Sequence, residues 1–182
     1  MNIPPVVRRV VTGHNAAGKS CIVEDGPPPR VGENAAVPGL RLMNIWATGR
    51  TPDDVHAPDR ISEHRTLHPP AGGTVIRVMD IPPEPPTAEG VEKLYAGVAA
   101  SGMFPDMGEI PADRTRHPGM HITHSVDYAI VLQGEIHAVL EEGEILMKAG
   151  DILVQRGTNH AWSNRSKEVC RICFVLVDGS RP

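Results

Sequence analysis

Residues 119–178 read GMHITHSVDYAIVLQGEIHAVLEEGEILMKAGDILVQRGTNHAWSNRSKEVCRICFVLVD, and the rhythm of this stretch decides the fold. Short runs rich in Ile, Val and Leu recur at 128–133, 136–140, 145–147, 151–155, 160–163 and 171–177. Gly134, Gly143, Gly150, Gly157 and the polar turn Asn164-Arg165-Ser166-Lys167 separate them. Closely spaced short runs bounded by turn residues predict strands, and strands at this interval predict a sandwich or a barrel.

Upstream, β-branched runs at 6–11 and 20–24 flank a Gly/Asn/Ala turn and stop at Asp25-Gly26-Pro27-Pro28-Pro29, which predicts a hairpin. Residues 40–48 read as a third strand and 75–81 as a fourth, the latter bounded by Gly72-Gly73 and Pro82-Pro83. Residues 49–71 read as loop. One helix is expected over 87–101: Thr87 can cap it, Glu89 suits its first turn, and Val91, Leu94, Tyr95 and Val98 recur at helical spacing before Gly102. Its expected place is the barrel exterior. The expected layout over 1–182 is a single domain, with an N-terminal strand extension (1–86), the helix and a barrel core (117–178).

Composition narrows the function. There are 18 Lys and Arg against 22 Asp and Glu, a formal charge of -4, and no basic run, so nucleic acid is not an expected partner. The start of the chain lacks a signal peptide's apolar segment, and no stretch approaches the roughly 20 apolar residues that span a bilayer, so no membrane partner is expected. Three cysteines are too few and too scattered for a disulfide framework, which points to the cytoplasm. Gly and Pro number 18 each while aromatic residues are only 3%, in keeping with many turns between short strands.

The segment Gly119 to Gly134 resembles the first motif of the cupin superfamily, in which two histidines one residue apart precede a glutamate, followed by six residues and a glycine. His121 matches the first histidine, Thr123 stands in place of the second, and Asp127 takes the position of the glutamate seven residues before Gly134. Gly157-Thr-Asn-His160-Ala-Trp-Ser-Asn164, with Gly150-Asp151 upstream, resembles the second motif, one residue short and with Arg156 in place of a proline. Both motifs in order make the resemblance fairly specific. It implies a mainly β fold, the double-stranded β-helix or jelly-roll barrel of small single-domain cupins. It also implies a divalent metal held by His121, Asp127 and His160, and a homodimer formed by pairing sheet edges.

The residues support that site on their own terms. Side chains alternate along a strand, so His121 and Thr123 face the same way, and imidazoles turned into an apolar barrel need a reason to be there. Two neutral imidazoles and a carboxylate suit Fe, Mn, Ni or Zn and leave positions open for a small oxygenated organic substrate. Dioxygenase, decarboxylase and isomerase chemistry all fit, as do a module that binds a ligand without turnover and a metal-free structural cupin. The alternative is two ordinary barrel-mouth histidines and an aspartate that begins a strand. Thr123 is a lining hydroxyl in this reading, and His124, of opposite parity to His121, is either a further ligand or a rim residue. Glu135 and His137 share a strand face and are candidates for acid or base assistance if that face lines the cavity. Tyr128 and Trp162 are read as turned to the other face of their sheets, as core residues.

Three motifs are set aside. Gly13 to Ser20 matches a phosphate-binding GxxxxGK[ST] pattern, but a strand rather than a helix is expected after Ser20, so the turn of a hairpin is the better reading. Cys170 and Cys173 form a CxxC within a strand, where residues three apart face opposite sides. His64 and His68 lie in a loop ending in Pro69-Pro70 and are read as solvated.

Overall fold

In the computed structural model, which describes residues 2–180, a β-hairpin of β1 (Arg9–His14) and β2 (Ser20–Gly26) leads into β3 (Arg30–Glu33), β4 (Arg41–Thr48) and β5 (Thr74–Ile81). Helix α1 (Ala88–Ala100) follows. Then come β6 (Ser125–Gln133), β7 (Glu135–Leu140), β8 (Glu144–Lys148), β9 (Ile152–Arg156), β10 (His160–Ser163) and β11 (Cys170–Asp178). One sheet has the order β3-β4-β5-β11-β6-β9 and a second the order β10-β7-β8, extended by a bridge between His121 and His160. Every pairing is antiparallel. From β6 onward the chain passes back and forth between the two sheets, which makes the double-stranded β-helix expected from the sequence.

The main core lies between the sheets. Val75 of β5, Val131 of β6, Ile136 of β7 and Ile172 of β11 meet there, all essentially buried, and each such side chain contributes about 1.5–3 kcal/mol of transfer free energy. A second apolar layer covers the outer face of the large sheet, where Met43, Val78 and Cys173 pack against Val6 and Val7. The two layers explain why the first strand starts later than expected. Val6 and Val7 lie against the sheet, and pairing begins only at Arg9. They also confirm the reading of the CxxC: Cys170 belongs to the inner layer and Cys173 to the outer. Burial pushes their thiols up, to about 12 and about 11.

The GxxxxGK[ST] match is the turn of the hairpin. Asn15 Oδ1 accepts from Ala17 N at 2.9 Å and Lys19 N at 3.0 Å, and Gly18 takes φ 71°, which suits a residue without Cβ. Strand β3 was not expected, because its four residues sit behind three prolines and include Gly32; its ladder with β4 supplies what its own sequence does not.

Two expectations are corrected. Helix α1, capped by Thr87 Oγ1 accepting from Gly90 N at 3.1 Å, does not rest on the outside of the barrel. Leu94, Tyr95 and Val98 line a cavity shared with inward-facing Met79 and Ile81 of β5. The loop over 49–71 is also less exposed than expected, since it sends Ile61 into the main core and Leu67 into the cavity wall. His64 is half-buried, and burial together with the Arg77 charge pulls its pKa down to about 4.

On the outer face, fully buried Asp80 is clamped by two guanidinium groups. Arg41 Nε and Nη2 donate to Oδ2 at 2.9 and 2.6 Å, while Arg171 Nε donates to Oδ1 at 2.7 Å. The arginines also donate to the carbonyls of Pro4 and Pro5. Removing the shared carboxylate would strand two buried cations. Asp80→Ala is expected to destabilise the protein by about 3–5 kcal/mol, measured by urea denaturation at neutral pH.

Candidate metal centre

His121 and His160 are brought together by backbone hydrogen bonding. His121 N donates to His160 O at 2.9 Å and His160 N donates to His121 O at 3.0 Å, so the two residues are opposed across an antiparallel bridge and their side chains leave the same face. Their ring centroids are 4.3 Å apart. Both line a cavity of about 100 Å³ whose walls are mostly apolar, Trp162 and Phe174 among them.

The outer nitrogen of each ring is occupied. His121 Nδ1–H donates to Gly119 O at 2.9 Å, which leaves the Nε2 lone pair toward the cavity. His160 Nδ1 lies 3.0 Å from Thr158 O and 2.6 Å from the Gln155 side-chain nitrogen. A proton on Nδ1 donated to Thr158 gives His160 the same orientation as His121, and the Gln155 amide competes for that nitrogen. Burial lowers both imidazole pKa values, His160 to about 3 with a further contribution from His121 beside it. Two neutral rings side by side, each held at Nδ1, form a nitrogen donor pair.

A polar chain behind His121 was not read from the sequence. His117 Nδ1 accepts from Gly119 N at 3.1 Å, and His117 Nε2–H donates to Glu84 Oε1 at 2.9 Å. Tyr95 donates its hydroxyl to Trp162 O at 2.9 Å, and Ser163 donates to Glu84 Oε2. Burial pushes the Glu84 carboxyl up, but the His117 and Ser163 hydrogen bonds outweigh it and hold it below its ordinary value. Gly119 passes directly under the Tyr95 ring, where a Cβ would meet Cε1 at 2.4 Å. The chain thus reaches the residue whose carbonyl orients His121.

Asp127 and Thr123 are on the same cavity wall. Thr123 Oγ1 donates to Asp127 Oδ2 at 3.1 Å, while Oδ1 is buried without a hydrogen-bond partner. Burial raises the Asp127 pKa, against the pull of Ser125, then Thr123 and Arg77. The expected three-ligand set is nevertheless not assembled: among the described residues, no group of three His, Cys, Asp or Glu side chains is gathered as a metal cluster. The carboxylate is tied to Thr123 instead of closing on the histidine pair.

Other candidates fall elsewhere. His124 is not among the cavity-lining residues; its ring stands 6.4 Å from that of His68, in keeping with a rim position. Glu135 and His137 share a strand face as expected, but Ile136 and Ala138 between and beside them hold the inward face, so the pair does not line the cavity. Trp162 is two residues from His160 and therefore shares its face, packing edge-on to it at 5.8 Å inside the cavity. Tyr128 does face the other side of its sheet, but that side is open and the ring is 43% exposed. Arg77, also unread, lines the cavity from β5 and is fully buried. Its signal was available: a charge in the run Val75-Ile76-Arg77-Val78-Met79, at the parity of the apolar inward residues.

The depressed histidine values fix the sign of the acid response. A histidine whose pKa is near 3 when folded and about 6.5 when unfolded takes up its proton on unfolding anywhere between those values. Stability is fully present above pH 6.5 and declines as pH falls toward 3, by up to about 1.4 kcal/mol per pH unit for His160. In chelator-treated protein, urea denaturation at pH 7 and pH 5 is expected to show this loss in the wild type and a smaller one in His160→Asn.

The Cupin domain family model matches residues 108–177. The phomopsin biosynthesis cluster protein C' of Diaporthe leptostromiformis is 32% identical over 182 residues, covering 93% of this chain and 77% of that protein. The cupin-domain-containing oxidoreductase fogC of Aspergillus ruber is 29% identical, covering 94% of this chain and 72% of that protein. Among solved structures, a Cupin 2 conserved barrel domain protein from Salinispora arenicola is similar at 12% identity and a TM-score of 0.40, covering 80% of this chain and 82% of that one. The chain belongs to the cupin superfamily.

Proposed function

We propose that the protein is a metal-dependent cupin enzyme of the oxidoreductase class, acting on a small oxygenated organic molecule held in the cavity. The observation that carries this reading is the His121–His160 pair, two buried neutral imidazoles side by side on the cavity wall, each engaged at Nδ1 by a backbone carbonyl. Such a donor pair fits Fe, Mn, Ni or Zn. The unpartnered Oδ1 of Asp127 on the same wall fits an anionic third ligand. When bound, the ion supplies Lewis-acid polarisation of a substrate oxygen and, if redox-active, electron transfer.

The chain's own residues do the rest. Gly119 O and Thr158 O aim the rings, and Trp162, Phe174, Leu94 and Val98 keep bulk water from the site. Relatives named as cupin-domain-containing oxidoreductases support the reaction class. The separation of Asp127 from the histidines favours a second reading, a cavity that captures a small ligand without metal. Elemental mass spectrometry of protein purified without chelator separates the two. Near-stoichiometric metal in the wild type, lost in His121→Ala and His160→Ala and reduced in Asp127→Ala, is the expected result; a wild type that neither holds nor takes up metal leaves the second reading.

We also propose that the protein pairs as a homodimer. Strand β9 is a free edge of the six-stranded sheet, and with Tyr128 its outer face exposes Ile152 (63%) and Val154 (53%). The β1–β2 hairpin, paired only with itself, exposes Ile22 and Val23. Light scattering is expected to give twice the 19.6 kDa chain mass, and Ile152→Glu to shift the protein toward monomer.

A further inference from the structure

The cavity wall carries a cation with too few partners. Arg77 lies mid-way along β5 on the inward face, 1% exposed. Its Nη2 donates to Leu67 O at 2.9 Å and Thr66 O at 3.2 Å and stands 3.3 Å from His64 Nε2. Nε and Nη1 are buried and have no hydrogen-bond partner. Holding the loop carbonyls therefore accounts for one nitrogen and leaves the N–H groups on the other two unused. Asp106 and Asp127 act on the guanidinium only as nearby charges; the Asp106 carboxylate is spent on Leu67 N at 2.6 Å and His68 N at 3.0 Å. Burial lowers the Arg77 pKa to about 10, so it remains a cation at neutral pH.

An unpaired buried cation costs several kcal/mol, and charge-assisted bonds to a carboxylate are the usual remedy. No carboxylate of the described residues supplies them, whereas the cavity gives a ligand access to this wall. The neighbouring surface is apolar, with Met79 and Phe174 beside Arg77, so the remainder of such a ligand would be hydrocarbon. A volume of about 100 Å³ suits a single ring or a short chain.

We propose that Arg77 anchors the carboxylate of a small, otherwise apolar organic acid bound in the cavity. This names the substrate class and rests on the cavity being the substrate site proposed above, though not on a metal being there. The positive charge orients the acid, and the histidine pair meets another part of the same molecule.

The test compares benzoate with its neutral isostere benzamide by isothermal titration calorimetry in the wild type, Arg77→Gln and His160→Ala, with metal content measured on the same samples. Benzoate is expected to bind the wild type at least about tenfold more tightly than benzamide, the preference vanishing in Arg77→Gln and persisting in His160→Ala. No preference in the wild type, or a preference retained in Arg77→Gln, overturns the assignment. A preference lost in His160→Ala also overturns it, because the carboxylate then belongs at the histidine pair. If Arg77→Gln does not fold, the wild-type and His160→Ala results decide the matter. A protein without metal that still prefers benzoate fails the metal reading and keeps this one.

Discussion

The register of β11 is the constraint on which the rest of the structure depends. This strand lies between β5 and β6, with Phe174 opposite both Arg77 and Ala129, and Leu176 opposite both Val75 and Asp127. Because side chains alternate, that pairing sends Arg77 and Asp127 inward on either side of one strand, while Arg171 turns outward to Asp80. A slip of one residue would exchange the two faces and put the clamp of Asp80 where the cavity stands. The apolar layers on both sides oppose such a slip, since β11 contributes Ile172 and Leu176 to one and Cys173 to the other.

Polar groups withdrawn from water meet three different fates in this barrel. The imidazoles avoid the cost of burial by staying neutral. The carboxylates of Glu84 and Asp80 are satisfied by several donors each. Asp127 and Arg77 are left incomplete, each with buried atoms that have no hydrogen-bond partner among the described residues. The incomplete groups line the same cavity as the histidine pair, whereas the completed carboxylate Asp80 lies on the outer face.

Much of this was legible in the sequence, and the limits have physical causes. Glycine-bounded runs locate the strands of the barrel, and the alternation of a strand suffices to face His121 and Thr123 the same way. Parity does not say which face is the inner one, and so Glu135 and His137 were admitted although Ile136 and Ala138 had the better claim to the core. For Trp162 the alternation rule is sufficient, since a residue two along from His160 shares its face. Glu84, Tyr95 and His117 come from separate segments and meet only through the fold, so no local pattern announces them.

The proline pair near the start of the chain has a further consequence. A proline has no N–H, so Pro4 and Pro5 present carbonyl oxygens to Arg41 and Arg171 without bringing a donor that would itself need a partner or repel the guanidinium groups. The first residues thus act as a strip of pure acceptor laid across two cations. A chain trimmed to begin at Val6 would keep the apolar cover over Met43 and Val78 but place a new ammonium group beside those arginines. The molecule would then carry a third positive charge beside the two guanidinium groups, a source of repulsion where Pro4 and Pro5 had been a fastening.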